Sequence, residues 1–303
     1  MHRFFKVIAA IALLAVAALL LFGFLNHFSA LADSLSHFRL HFIVLAVLLS
    51  FGFLALRAWR WGAAAMAVIV IGLFGLQPAF PYFPVTPVAL PQIRMIQFNT
   101  LFNNPKPDFS AQWLVAQAPD ITTLQEVSKN NQVIIDELSK QMPSKAECKF
   151  TAIGRVVVLS KYPKLAEKCV EGSGLVWMQV MIDGKPVTIA SVHLHWPYPF
   201  RQQKQLDYMR TELEAMPRPV ILAGDFNAAP WSEAVAQVGR ASSTIPLPGL
   251  RMTLRMGFYG IGPFPVLPID QVLAPDGTSP TKMEVGPPIG SDHLPVVVQF
   301  GLP

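Results

Sequence analysis

The chain lacks most of the sequence signatures that mark cofactor and zinc chemistry. It contains only two cysteines in 303 residues, Cys148 and Cys169, and neither lies in the Cys-x-x-Cys pattern of a zinc site. It also has no Walker loop, no dinucleotide glycine fingerprint and no His-Glu-x-x-His motif. An oxidising compartment permits a disulfide between the two cysteines. The sequence does not give their separation, so a bridge and two separate buried thiols both stay open.

Acidic side chains are nearly missing from the first third of the chain. Residues 1–83 hold five basic side chains and a single acid, Asp33, which leaves 19 basic and 18 acidic residues for 84–303. The net charge of +5 therefore comes mainly from the hydrophobic N-terminal region. It is weak evidence for a nucleic-acid-binding surface, which normally shows as a basic patch on the folded domain.

Long apolar runs dominate this N-terminal region. Residues 7–25, 40–56 and 62–76 are three such runs with almost no charge. The first is long enough to cross a hydrocarbon core of about 30 Å, and the other two are slightly short. The alternative is a set of buried core helices, which three nearly uncharged runs make the weaker interpretation. The sequence therefore predicts three transmembrane helices in residues 1–83.

Basic residues predict the orientation of these helices. Arg3 and Lys6 precede the first run, and Arg57 and Arg60 lie between the second and the third. The positive-inside rule places both groups in the cytoplasm and the rest of the chain outside it. For a bacterial inner membrane, that side is the periplasm. An Ala-Leu-Ala sequence ending at Ala32 fits a signal-peptidase site, but the first run is long for a signal peptide, so we favour retention.

Prolines and short apolar runs predict the organisation of the remaining chain. Five prolines between residues 77 and 91 predict a linker at 84–91, followed by a folded domain at 92–303. The predicted strands are 93–98, 121–124, 155–159, 175–182, 187–192, 220–223, 271–273 and 295–300, and the predicted helices are 110–117, 132–140 and 201–214. We expect Ser110 to cap the first of these helices and Asp183-Gly184 to form a hairpin turn. The mixture predicts an α/β (α+β) fold with packed sheets and outer helices.

Polar residues stand at the ends of six predicted strands. They are Asn99, Glu126, His193, Asp225 with Asn227, Asp270, and Asp292 with His293. A single such residue is most often a turn former, but six at matching places indicate a site at one edge of the sheets. Grouped carboxylates suit a hard cation such as Mg²⁺, which commonly acts on phosphates.

These residues also stand in motifs that resemble a known family. The motifs are Phe98-Asn99-Thr100, Gln125-Glu126-Val127, Val192-His193-Leu194, Gly224-Asp225-Phe226-Asn227, Ile269-Asp270 and Ser291-Asp292-His293-Leu294-Pro295. In this order they resemble the endonuclease/exonuclease/phosphatase superfamily, which shares the DNase I-like fold. The resemblance implies a four-layer sandwich of two packed mixed β-sheets flanked by helices, from residue 93 to the C-terminus.

The resemblance also implies roles for the individual residues. Glu126 would be the main Mg²⁺ ligand, with Asn99 and Asp292 nearby, and Asn99 would also contact the substrate. Asp225 would position or deprotonate the attacking water. Asn227 would hydrogen-bond the phosphate, and His193 would contact the phosphate or protonate the leaving group.

The last pair of residues implied by the resemblance is His293 with Asp270. Asp270 would orient His293 as a general base or a cationic partner. An Asp–His pair of this kind holds one imidazole tautomer and raises its basicity. Because the adjacent side chains of Asp292 and His293 diverge in an extended chain, one can face the metal while the other faces the phosphate.

Two arginines are further candidates for substrate binding. Arg251 and Arg255 lie with Phe258, Tyr259 and Phe264 in a loop before Asp270. Arginine with exposed aromatics fits a nucleic acid or a lipid surface, and ordinary loop packing is the alternative.

The combined prediction is a membrane-anchored phosphoesterase that uses Mg²⁺, with Mn²⁺ as an alternative. It hydrolyses phosphodiester or phosphomonoester bonds by metal-assisted attack of water and is nuclease-like. The alternative within the same fold is a lipid or small-metabolite phosphoesterase. A non-catalytic membrane-tethered binding module is the alternative of another class, and the oligomeric state stays open.

Overall fold

The computed structural model describes residues 2–80, 92–152, 154–258 and 261–302. The predicted linker at 84–91 and Tyr259 lie outside the described residues.

The N-terminal region consists of apolar helices. They are α1 His2–Phe22, α2 Ala30–Ser36, α3 Arg39–Ala55 and α4 Trp59–Phe74. Among the described residues, His2–Leu25 is long and apolar enough to cross a membrane, and α2 with α3 passes the same test only as a pair bent by 57°. Helix α4 has 16 residues and spans about 24 Å at 1.5 Å per residue. An apolar first helix fits either a membrane anchor or a signal sequence, so three transmembrane helices stay a prediction.

The strands and the other helices follow after residue 92. The strands are β1 Ile93–Asn99, β2 Ile121–Val127, β3 Ser144–Lys149, β4 Arg155–Ser160, β5 Lys164–Val170, β6 Leu175–Ile182, β7 Lys185–His193, β8 Val220–Asp225, β9 Ile245–Pro246, β10 Leu254–Phe258, β11 Ile261–Leu267, β12 Asp270–Ala274, β13 Ser279–Val285 and β14 Val296–Gly301. The helices are α5 Pro107–Ala116, α6 Gln132–Ser139, α7 Gln202–Ala215 and α8 Glu233–Ser242.

Within the part of the chain that the structure describes, these strands form two six-stranded sheets and one hairpin. The first sheet has the order β13-β14-β1-β2-β4-β3, the second has the order β5-β6-β7-β8-β12-β9, and β10 pairs with β11. The pairs β1–β2 and β7–β8 are parallel and their other neighbours are antiparallel, so both sheets are mixed.

Three apolar cores separate the layers. The core between the sheets includes Met95, Val158 and Ile221, all fully buried. A second core joins one sheet to α5 and α6, and a third joins the other sheet to α7 and α8. Sheets that bury both faces in this way need helices on their outer sides. The predicted four-layer sandwich is confirmed.

Two local predictions have opposite outcomes. Asp183 and Gly184 connect β6 and β7 with φ angles of 48° and 77°, as expected for a tight hairpin turn. The predicted cap at Ser110 is wrong, because α5 begins three residues earlier, at Pro107. The Ser110 hydroxyl is buried inside the helix and donates to the carbonyl of Ile289.

The two cysteines form a disulfide in the structure. Cys148 lies on β3 and Cys169 on β5, with their Cα atoms 5.0 Å apart. Strands β3 and β5 are the end strands of different sheets, so the bridge joins the two sheets along one side.

A close strand contact fixes the edge at which the parallel strands end. A Cβ added to Gly224 on β8 would lie 1.8 Å from the carbonyl oxygen of Val192 on β7. Only glycine permits this approach, which sets Asp225 beside His193 in the register of the two strands. The strand pairing thereby brings two predicted site residues together.

Candidate active site

A cavity of about 340 Å³ lies where the parallel strands end. Its walls combine carboxylates and imidazoles with apolar side chains, as in many small-molecule sites. The lining residues are Leu101, Phe102, Glu126, Phe150, Thr151, Gly154, His193, Leu194, His195, Trp196, Asp225, Asn227, Leu254, Asp292 and His293. Six of the predicted site residues are in this set. Asn99 and Asp270 are buried behind it and contact it through hydrogen bonds.

Glu126 and Asn227 reach the cavity from backbone conformations that side chains rarely adopt. Their φ angles are 53° and 46°. At Glu126 the pairing of β2 with β4 is irregular, and a Cβ on Gly154 would lie 2.9 Å from the Glu126 Cα atom. Left-handed backbone outside glycine costs about 1–3 kcal/mol and persists where the surroundings fix it, commonly at active sites.

His293 lies between two buried carboxylates. Its Nδ1 atom is 2.8 Å from Asp270 Oδ2, and its Nε2 atom is 3.7 Å from Asp225 Oδ2. Burial alone would lower the pKa of His293, but the charges of Asp270 and then Asp225 outweigh burial and raise the pKa to about 10. His293 in this arrangement is an imidazolium near neutral pH.

Asp225 contacts polar side chains from both sheets. Its Oδ1 accepts a hydrogen bond from the Asn227 N–H at 2.8 Å, and its Oδ2 accepts one from Asn99 Nδ2 at 2.9 Å. His193 Nε2 lies 3.5 Å from the same Oδ2. Burial raises the pKa of Asp225 to about 7, against the opposing charge of His293 and these hydrogen bonds.

His193 is a neutral imidazole in this arrangement. Burial, followed by the charge of His293, lowers the pKa of His193 to about 3. Its Nε2 atom is 3.9 Å from Glu126 Oε1, and its ring forms a T-shaped pair with Phe150, with the ring centroids 5.1 Å apart. Because the ring is uncharged, its contacts with the neighbouring carboxylates are not ion pairs.

Glu126 and Asp292 supply carboxylates at the cavity. Glu126 Oε1 accepts from Asn99 Nδ2 at 3.2 Å, and its Oε2 accepts from the Phe102 N–H at 3.1 Å. Asp292 lines the same cavity and is exposed. Asn227 Oδ1 is buried and has no hydrogen-bond partner among the described residues. Hard divalent cations prefer carboxylate and amide oxygens, so these residues fit a divalent metal ion.

A second group of oxygens and nitrogens fits a metal less well. Ligand atoms of Asp225, Asp270 and His293 lie within 4.8 Å of one another. Both carboxylate oxygens of Asp270 already have partners, since Oδ1 accepts a hydrogen bond from Gln97 Nε2 at 2.8 Å and Oδ2 contacts His293. A cation there would break buried hydrogen bonds, and each buried group left unpaired costs about 1–3 kcal/mol. The Glu126 side of the cavity is the better position.

The two predicted arginines lie outside the cavity lining. Arg251 is only 4% exposed, and its guanidinium donates to backbone carbonyls of its own loop, at 2.9 Å for Pro248. The structure therefore gives Arg251 a structural environment rather than the predicted contact with substrate. The Arg255 N–H donates to the Asp292 carbonyl at 2.7 Å, and its side chain contacts Pro263 at 3.3 Å.

Sequence reasoning missed a polar network that supports the site from between the sheets. Gln97 Nε2 donates to Asp270 Oδ1 and to Gln125 Oε1, both at 2.8 Å, and Gln125 Nε2 donates to Ser191 Oγ at 3.1 Å. All are buried. Ser291 Oγ similarly donates to a carbonyl at the end of β1, at 2.8 Å. The available signal was a polar side chain inside an apolar run, as at Gln97 in 93–98.

Solved structures with the same fold include several phosphoesterases and nucleases. An endonuclease/exonuclease/phosphatase from Bacteroides vulgatus is 16% identical with a TM-score of 0.56, over 70% of this chain and 100% of that one. TDP2 of D. rerio, complexed with single strand DNA product, is 18% identical with a TM-score of 0.55, over 70% and 99%. Sphingomyelinase C from Streptomyces griseocarneus is 17% identical with a TM-score of 0.51, over 69% and 99%. Identities this low show the fold alone.

The family of the chain follows from its own sequence. No curated protein matches the chain significantly. The sequence model of the Endonuclease/Exonuclease/phosphatase family, however, matches residues 96–293, which include every residue of the site from Asn99 to His293. The chain therefore belongs to the endonuclease/exonuclease/phosphatase family, whose members are metal-dependent hydrolases of phosphoric esters.

Proposed function

We propose that the protein is a membrane-anchored, Mg²⁺-dependent phosphodiesterase. The observation that carries the proposal is the convergence of Glu126, Asp225, Asn227, Asp292 and His293 on one cavity, from positions spread over 168 residues. Mn²⁺ is the alternative metal, because it accepts the same oxygen ligands.

Glu126, Asn99 and Asp292 would hold the metal ion. A divalent cation at this position supplies positive charge that polarises the phosphoryl oxygens and lowers the pKa of a water molecule. Asn99 Nδ2 currently donates to Glu126 and Asp225, so it keeps the two carboxylates apart and oriented.

The remaining side chains position the substrate and move protons. Asp225 faces the cavity between the two histidines and is our candidate to orient the attacking water. Asn227 Oδ1, which has no partner among the described residues, is available to accept a hydrogen bond from the water. Asn227 Nδ2 donates to the Leu194 carbonyl at 2.8 Å, and its second N–H is the candidate donor to the phosphate. His293 places positive charge where negative charge develops, and Asp270 fixes its ring. Neutral His193 is the candidate partner of the leaving group.

Metal removal tests the enzyme class directly. We expect full-length protein treated with EDTA to lose hydrolysis of bis-p-nitrophenyl phosphate, by about 10²-fold or more. Adding back Mg²⁺ or Mn²⁺ should restore the rate, and Ca²⁺ should restore it poorly, because its larger shell fits differently. A rate that is insensitive to EDTA, or absent with both metals, would reject the proposal in favour of a binding module.

A lipid phosphoester is the second candidate substrate. Trp196 lines the cavity, and Trp196, Tyr198 and Phe200 are 45%, 54% and 68% exposed on the loop before α7. Ser34, on helix α2 of the N-terminal region, donates to the Tyr198 carbonyl at 3.0 Å. Exposed aromatics beside a membrane segment favour the interface between lipid and water. These contacts support a substrate at the bilayer surface.

A paired assay separates the two substrates. If the substrate is a lipid, Tyr198→Ala with Phe200→Ala, two exposed residues outside the cavity lining, should slow hydrolysis of a phosphodiester lipid in vesicles about tenfold, by losing interfacial contact. The same variant should hydrolyse soluble bis-p-nitrophenyl phosphate at the wild-type rate within twofold. A nuclease instead predicts faster cleavage of oligonucleotides than of lipids, with a rate that falls steeply with salt.

The proposed domain organisation follows the same assignment. Residues 1–83 form the membrane region, 84–91 the linker and 92–303 the catalytic domain. Arg3, Lys6, Arg57 and Arg60 support a cytoplasmic N-terminus in a bacterial inner membrane, with the catalytic domain in the periplasm.

A further inference from the structure

The segment between α1 and α3 packs against the catalytic domain. We call residues 26–36 the connector segment. Asn26 Nδ2 donates to the Trp231 carbonyl at 3.2 Å, and Trp231 Nε1 donates to the Ser36 carbonyl at 2.7 Å. Trp231 is only 7% exposed. Reciprocal hydrogen bonds around a buried tryptophan indicate a fixed contact rather than a loose tether.

Asp33 on this segment caps a helix of the catalytic domain. Its Oδ1 accepts from the Glu233 N–H at 2.7 Å and its Oδ2 from the Ala234 N–H at 3.2 Å. Ser232 Oγ accepts from the next amide, that of Val235, at 3.2 Å. The first N–H groups of α8 therefore bind a carboxylate 200 residues away in sequence, which also complements the positive end of the helix dipole. Asp33 is the single acid of residues 1–83 and is only 7% exposed.

An apolar cluster reinforces this contact. Ala229 and Trp231 pack against Ile43 of α3 and against Leu76 and Ala79, which follow α4. Two members of this cluster, Ala229 and Trp231, follow Asn227 by two and four residues. The loop that begins at Asp225 and ends at Ser232 therefore has its first residues in the site and its last residues packed against the N-terminal region.

The loop at residues 225–232 carries a conformationally constrained residue of the site. Asn227 has a φ of 46°, and its Oδ1 has no hydrogen-bond partner within the described part of the chain. Gln271 Nε2 holds the carbonyl of Ala228 at 2.9 Å from one side, and Trp231 anchors the other. A strained residue keeps its conformation only where surrounding contacts over-determine it.

From these contacts we infer that the connector segment positions Asp225 and Asn227, so that the N-terminal region is a working part of the catalytic unit. Asp33 and Trp231 are positioning residues, which act through the 225–232 loop and do not touch substrate. The expected change in kcat rests on the proposed function, whereas the expected change in hydrogen exchange rests on the fold alone.

Kinetics of the full-length protein in detergent micelles test the inference. We expect Asp33→Ala to lower kcat for bis-p-nitrophenyl phosphate about tenfold with KM changed less than twofold, because small displacements of catalytic groups mainly affect turnover. Asp33→Asn keeps an oxygen that can cap the helix and should recover most of the rate. Trp231→Phe keeps the apolar packing and should show a smaller loss. Ser242→Ala, at the other end of α8, is the matched control and should keep the wild-type kcat.

Hydrogen exchange separates this inference from the proposed function. In Asp33→Ala, amides of residues 226–235 should exchange roughly tenfold faster, the size expected from loss of a helix cap. Unchanged exchange overturns the inference even if the protein hydrolyses no diester, in which case the proposed function fails separately. Faster exchange with unchanged kcat in an active enzyme also overturns it, since the contact would then be structural only.

Discussion

We expect the Asp225→Ala variant to lose about 10³-fold or more in kcat on a soluble phosphodiester, within the range typical for a positioned catalytic carboxylate. Asp225 receives hydrogen bonds from Asn99 and Asn227 and lies within 3.7 Å of both histidines. Removing its carboxylate removes the group that contacts Asn99 and Asn227 as well as the two histidines. Steady-state kinetics at saturating metal measure the loss.

Two further variants make the Asp225 result specific. Asp225→Asn keeps the size of the side chain and an oxygen acceptor, so it should retain the fold and still lose most of the turnover. Asp136→Ala removes an exposed carboxylate on α6 and should match the wild type. Circular dichroism of each variant checks folding. Activity of Asp225→Ala within tenfold of the wild type would remove Asp225 from the mechanism.

The second large effect concerns the metal. We expect Glu126→Gln to raise the Mg²⁺ concentration for half-maximal activity by more than about tenfold, since a ligating carboxylate loses its charge. Turnover at saturating Mg²⁺ should fall about 10²-fold. Titration of Mn²⁺ by electron paramagnetic resonance gives the metal affinity independently of activity.

The matched control for Glu126 is Glu137→Gln. The side chain of Glu137 on α6 is partly exposed and pairs with Lys140. Its substitution should leave both Mn²⁺ affinity and turnover unchanged. Equal Mn²⁺ binding by wild type and Glu126→Gln would mean that the metal is held elsewhere, and the Asp225, Asp270 and His293 group would then be the place to look.

The catalytic fold was largely predictable because its strands are short apolar runs with polar residues directly after them. Asn99, Asp225 and His193 could be assigned to strand ends without knowledge of the pairing. The parallel pairs β1–β2 and β7–β8, the second of which sets His193 beside Asp225, are known only from the structure. Strands β3 and β5 were missed because their sequences, Ser-Lys-Ala-Glu-Cys-Lys and Lys-Leu-Ala-Glu-Lys-Cys-Val, are rich in charge. They are end strands, where charged residues are common.

Other features depend on tertiary contacts that no local pattern records. In the sequence, Arg251 lies in a loop with aromatic residues, which fits substrate binding as well as ordinary loop packing. Its guanidinium instead satisfies carbonyls within that loop. The cap on α8 is shared by Ser232 and Asp33, and the neighbouring sequence reveals only Ser232. Neither the charge pattern nor the residue spacing of the sequence indicates that Asp33 caps α8.

The position of Ala32 bears on whether a leader peptidase could release the first helix. Such enzymes bind an accessible, extended substrate, whereas Ala32 is fully buried inside α2, whose first turn is capped by Ser29. Cleavage after Ala32 would have to precede folding. It would leave a new α-ammonium group on Asp33, next to the positive end of α8. The positive charge of this group would offset the stabilising negative charge of the Asp33 carboxylate at that end. A chain cut at that point would therefore fold with a weakened cap on α8.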